Sequence, residues 1–133
     1  MTAEEKTVTA PVVIAVNDRP EGVAALQWGL RRARRLQTTA VIVPSTGDTP
    51  SSPVHLSTAT RELIATAAEG VDHVLHEQPE DVAQALITLS DGADMVVLPV
   101  RRRSVTMKFL LGSNAMRVIA EAHCPVVTVK SPA

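Results

Sequence analysis

The stretch that decides the fold is Asp94–Lys130, DMVVLPVRRRSVTMKFLLGSNAMRVIAEAHCPVVTVK. It reads as strand, basic loop, helix, strand. Met95–Leu98 is a continuous apolar run, too short for a helix and suited to a strand covered on both faces. Gly112-Ser113 supplies a turn and a side-chain cap for a helix ending near Ala122. Pro125 breaks that helix, and Val126, Val127 and Val129 make a second strand. Arg101, Arg102 and Arg103, with Lys108 beyond them, lie in the loop between. In an open parallel sheet, ligands bind outside the carboxyl ends of strands, where loops meet helix N-termini. The loop from Pro99 to Ser113 holds such a place.

Working outward, the same alternation of apolar run and amphipathic stretch fills the rest of the chain. Val12–Val16 is strand 1. Pro20 opens a helix to Leu36, whose apolar positions Val23, Leu26, Leu30, Ala33 and Leu36 recur at helical spacing. Ala40–Val43 is strand 2, and Pro44–Pro53 reads as an exposed loop rich in Pro, Gly and hydroxyl residues. Thr58–Glu69 is a short helix stopped by Gly70, and Val71–Leu75 is a weaker edge strand. Pro79, Glu80 and Asp81 open a third helix with Val82, Leu86 and Leu89 inward, ended by Asp91-Gly92. Strands joined by crossover helices must lie parallel, with helices on both faces. The expectation is a doubly wound α/β domain.

Composition limits the functions. The 133 residues, 45% of them apolar, suffice for one domain, expected over 11–133 behind a flexible segment at 1–10. A net charge of −1 and only Trp28 and Phe109 as aromatics argue against nucleic acid and anionic membranes as partners. The lone Cys124, the absence of a signal-peptide pattern in residues 1–10 and the lack of a spanning apolar segment point to a cytoplasmic location. His73 and His76, an odd number apart on a strand, would face opposite ways and do not suggest a metal pair. No catalytic constellation emerges.

The chain resembles the universal stress protein family from Val12 to Lys130. The resemblance is carried by Ala93-Asp94-Met95-Val96-Val97-Leu98, Leu110-Leu111-Gly112-Ser113 and Cys124-Pro125-Val126-Val127, in order and at family-like spacing. It implies a five-stranded parallel sheet in the order 3-2-1-4-5 and a homodimer paired through strand 5, over Val126, Val127, Thr128 and Val129. It also implies an ATP site, built on a glycine after strand 4, a second glycine three residues later and a Gly-Ser or Gly-Thr ten residues beyond. Here those positions carry Pro99, Arg102 and Gly112-Ser113, so only the last matches. Asn17 stands in place of the aspartate that ATP-binding members usually carry after strand 1, and a frequent family glycine falls at Glu77.

The expected function is therefore a non-catalytic domain of this kind, acting in stress response through homodimerisation and protein contacts, with no cofactor and a degenerate ATP motif. The alternative is a nucleotide or small-anion sensor that uses Asn17, Arg101, Arg102, Arg103, Gly112 and Ser113. An enzyme acting on phosphoanhydrides ranks last, because only Asp18 stands near enough to serve as base or metal ligand. Proline has no N–H and fixes φ, so it cannot offer the phosphate contact that a cradle glycine makes. Changing Pro99 and Arg102 together to glycine should raise ATP affinity. Two charge-assisted backbone contacts at roughly 1.5–3 kcal/mol each correspond to about a hundredfold or more. Calorimetry showing no gain in the folded double variant would move the block to Asn17 or the base pocket.

Overall fold

The computed structural model describes residues 10–46, 55–101 and 112–131. Arg102, Arg103 and Lys108, and residues 47–53 of the anticipated loop, lie outside the described residues. The elements follow in the order β1 (Val12–Val16), α1 (Pro20–Leu36), β2 (Ala40–Pro44), α2 (Thr58–Ala67), β3 (His73–Leu75), α3 (Val82–Ser90), β4 (Met95–Pro99), α4 (Ser113–Glu121) and β5 (Val126–Val129). The strands form one parallel sheet in the order β3-β2-β1-β4-β5, as the resemblance implied.

β1 is wholly buried because both of its faces are covered. Val12, Ile14 and Val16 point into one cluster with Leu26, Leu30 and Ala33 of α1 and Ile64 of α2. Val13 and Ala15 point into the other, with Val82, Ala83, Leu86 and Ile87 of α3 and Val118 of α4. The period of two in the strand thus meets the helical stripes of both layers.

Several boundaries differ from the sequence reading, each for a local reason. Val71 is not in β3: Gly70 takes φ +80° and the Val71 N–H bonds back to Ala68, so Val71 is buried in a turn. α2 gives way at Ala68, before Glu69. β2 extends through Pro44, which pairs with Val16. β4 likewise continues through Pro99, which pairs with Val129, and the Val100 N–H still reaches the Val129 carbonyl. A proline needs no N–H partner at a strand end.

Close packing of α1 on β1 depends on two glycines seven residues apart on one helical face. A Cβ on Gly29 would sit 2.5 Å from Ile14 side-chain atoms. On Gly22 it would sit 2.1 Å from Asn17 Oδ1 and 2.5 and 2.6 Å from Asn17 backbone atoms. Side-chain atoms can rotate away; backbone cannot without moving the loop. Gly22→Ala should therefore cost about 1–3 kcal/mol, the range for overpacking. Gly29→Ala should cost less, since Ile14 can shift and alanine favours the helix. Urea denaturation of the two variants checks this, and a Gly22→Ala midpoint equal to that of the parent would contradict it.

Candidate functional site

A cleft of about 320 Å³ opens at the carboxyl end of the sheet, where β1 and β4 diverge toward α1 and α4. The crossovers leave β1 and β4 to opposite faces, so this is the switch point at which such sheets bind ligands. Ala15, Val82, Leu86, Leu98 and Val100 supply an apolar wall. Asn17, Arg19, Glu21, Ser45, Arg101, Gly112, Ser113 and Asn114 supply the polar one.

The structure thus brings together Asn17, Arg101, Gly112 and Ser113 of the anticipated site. Asn17 is occupied with its own loop: its Oδ1 accepts a hydrogen bond from the Arg19 N–H at 3.0 Å, a short side-chain turn that leads the chain into α1. Ser45 closes another side, its N–H and hydroxyl both donating to the Val16 carbonyl at 2.8 and 3.2 Å. Arg101 is exposed and makes no hydrogen bond or ion pair among the described residues.

The start of α4 differs from the sequence reading. Gly112, not Ser113, is the N-cap, and among the described residues no side chain caps the first turn. By contrast, Ser57 caps α2 through the Thr60 N–H and Asp81 caps α3 through the Gln84 N–H. Gly112 has φ −64°, and a Cβ there would meet nothing within 4 Å, so neither its conformation nor the described packing demands glycine. A helix start without a side-chain cap is a polar end that favours anions.

The direction of that helix is fixed by Val118 in the core and by Arg117. Arg117 Nη1 donates to both Asp81 oxygens at 3.2 and 3.1 Å, and Nη2 donates to Gln84 Oε1 at 2.7 Å. Ser90 braces the other end, accepting from the His123 N–H at 2.9 Å while donating to Ile87 O at 2.6 Å. Asp18 does not line the cleft. Its Oδ1 accepts from the N–H and hydroxyl of Ser57, both at 3.1 Å. Burial raises the Asp18 pKa, but hydrogen bonds from Thr60 and Ser57 outweigh it and leave the carboxyl below its ordinary value. Cys124 packs against the second core cluster, and burial, reinforced by Asp94, pushes its thiol up. Glu77 is exposed beyond β3. Among the described residues, no group of three His, Cys, Asp or Glu side chains is placed to hold a metal, and no helix is long and apolar enough to cross a membrane.

Sequence reasoning missed Glu21. As the residue after Pro20 it looks like an ordinary first-turn charge, yet it is only 7% exposed and lines the cleft. Arg19, Ser45 and Asn114 were missed as well. No apolar periodicity marks any of them, because they are polar residues in loops, at a cap or in a first helical turn.

The geometry defines the class: a doubly wound α/β domain with a cleft at the β1/β4 switch point. The family model described as the universal stress protein family matches residues 9–130, and the chain belongs to that family. A universal stress protein of Mycolicibacterium smegmatis is 26% identical over 134 residues, covering 90% of this chain and 96% of the relative. A universal stress protein solved in complex with cAMP superposes with a TM-score of 0.67 at 18% identity, covering 93% of this chain and 98% of that one. The Archaeoglobus fulgidus universal stress protein in complex with dAMP gives 0.57 at 21% identity, covering 92% and 99%. These two structural likenesses establish the fold.

The α3–α4 strap gives a pH prediction. Asp81 has its pKa lowered from 3.8, first by the Gln84 N–H and then by Arg117. A carboxyl depressed on folding adds stability that is present above its unfolded value and lost as pH falls through its folded value. Stability should therefore drop below about pH 4, near the unfolded aspartate value, and Asp81→Asn should make that acid limb shallower. Denaturation midpoints measured from pH 2 to 7 check this; identical limbs for parent and variant would contradict it.

Proposed function

We propose that this chain is a non-catalytic universal stress protein domain that binds a small phosphate-bearing nucleotide in its cleft and works as a homodimer through β5. The observation that carries the binding half is the N-terminus of α4, without a side-chain cap among the described residues, on a partly open cleft beside Arg101 and Arg19. It favours nucleotide or anion sensing over action through protein contacts alone. The apolar wall offers a base somewhere to lie, and relatives of the same fold hold cAMP and dAMP. Mg-ATP fits poorly. The position of the first cradle glycine is Pro99, absorbed into β4 with no N–H to give. The cleft volume also lies at the small end of the usual range of roughly 300–1,000 Å³.

Support for the dimer comes from β5. Among the described residues it is an edge strand, with Val126, Val127 and Val129 half-buried and Thr128 exposed. The Val96 N–H donates to Pro125 O in the register Val96↔Val126. In that parallel register the N–H groups of Val127 and Val129 turn toward β4, while those of Val126 and Thr128 turn outward. The preceding helix exposes Met116 and Ile119, 55% and 45% accessible, apolar surface that a second copy would cover.

Calorimetric titration should show saturable AMP binding that weakens as salt rises, and at most weak binding of Mg-ATP. No binding of AMP or inorganic phosphate, or tight binding of ATP, would overturn the ligand reading. Light scattering should give a dimer at micromolar concentration, and Thr128→Pro, which removes an outward N–H and spares the β4 ladder, should shift it toward monomer. A monomeric parent protein would overturn the dimer.

A further inference from the structure

Glu21 is more than nine-tenths buried, lines the cleft, and makes no hydrogen bond or ion pair among the described residues. Burying a polar side chain without a hydrogen-bond partner is costly. Its place follows from the backbone. Gly22 lies against Asn17 so closely that the first turn of α1 is pressed onto the end of β1, and the residue before Gly22 is carried into the cleft. The positive end of α1 offsets part of the cost, but leaves both carboxylate oxygens as acceptors in need of donors.

The cleft thus is lined by two unlike groups: the first N–H groups of α4, which favour an anion, and Glu21, which favours hydroxyl or amino donors and repels a second anionic charge. We propose that Glu21 is a specificity residue that selects a ribonucleoside monophosphate, accepting hydrogen bonds from the ribose 2′,3′-diol while the single phosphate sits at α4. A carboxylate can accept from two neighbouring hydroxyls at once. A 2′-deoxyribose offers one donor fewer, and a cyclic 3′,5′-phosphate ties up the 3′-oxygen. Each further phosphate brings negative charge into a cleft that already holds one. Selection therefore works by attraction of the diol and by repulsion of a polyphosphate. The inference rests on the nucleotide reading above and names the ligand class for that cleft.

The test is calorimetric titration of the full chain with AMP, 2′-deoxy-AMP, cAMP and ATP, repeated on Glu21→Gln. The parent should bind AMP about ten- to a hundredfold more tightly than 2′-deoxy-AMP, the range for one lost hydrogen bond to a charged group, and should bind cAMP and ATP more weakly than AMP. Glu21→Gln keeps the size of the side chain and removes its charge. It should narrow the AMP to 2′-deoxy-AMP ratio and improve ATP relative to AMP. If the variant fails to fold, the ratios in the parent decide alone. Equal affinity for AMP and 2′-deoxy-AMP in the parent, or ratios unchanged in a folded Glu21→Gln, would overturn the role of Glu21 while leaving nucleotide binding intact. No binding of any of the four overturns both.

Discussion

The contact on which the rest of the site depends is the one between Gly22 and Asn17. Only a residue without a Cβ allows the first turn of α1 to rest directly on the backbone that leaves β1. Asn17 Oδ1 accepts from the Arg19 N–H, which ties strand end, turn and helix start into one corner. That corner places Arg19 at the head of α1 and Glu21 in its first turn, both lining the cleft, while Asp18 beside it holds Ser57 at the head of α2. The fold's long-range order reaches the same point, since β1 is the central strand and is buried on both faces.

The β4 side is held differently. There the strand runs on through Pro99 into a further bond with β5, and the opposing anion-favouring surface comes from a helix end. That end is aimed by Arg117 on Asp81 and Gln84 and by Val118 in the core, contacts remote from the cleft. The ion pair between Arg32 and Asp94, at 3.0 and 3.2 Å, ties α1 to the start of β4 and so joins the two halves. A glycine cradle and a helix N-terminus both present backbone N–H groups to phosphate. Here Pro99 stands in β4 without an N–H to offer, so the proposed site relies on the helix end, and on that proposal one phosphate is favoured over three.

Much of this was legible in the residues. The apolar runs of β1 and β4 and the helical stripe of α1 are strong local signals because burial on both faces leaves little choice of residue. The strand order needed the family resemblance, since periodicity says which segments are strands but not which are neighbours. β3 was read too long because Val71 is as apolar as a strand residue, and only the positive φ of Gly70 shows that it belongs to a turn. Asn17, Gly112 and Ser113 were legible as candidates through motif position and Arg101 through the basic loop, and all four line the cleft. Glu21 was not, because an acidic residue after a helix-opening proline is the usual exposed first-turn charge. What turns it inward is the missing Cβ on its neighbour, a tertiary fact.

The central claim is that β1, α1, β4 and α4 build one binding cleft with an anion end and a carboxylate end. Amide chemical-shift mapping of the ¹⁵N-labelled chain during titration with AMP tests it most directly. The account predicts saturable shifts at Asn17, Glu21, Arg101, Ser113 and Asn114, with the exposed face of α2 unmoved. Shifts confined to β5 and α4's exposed face, with Glu21 and Asn17 unchanged at saturation, would contradict it.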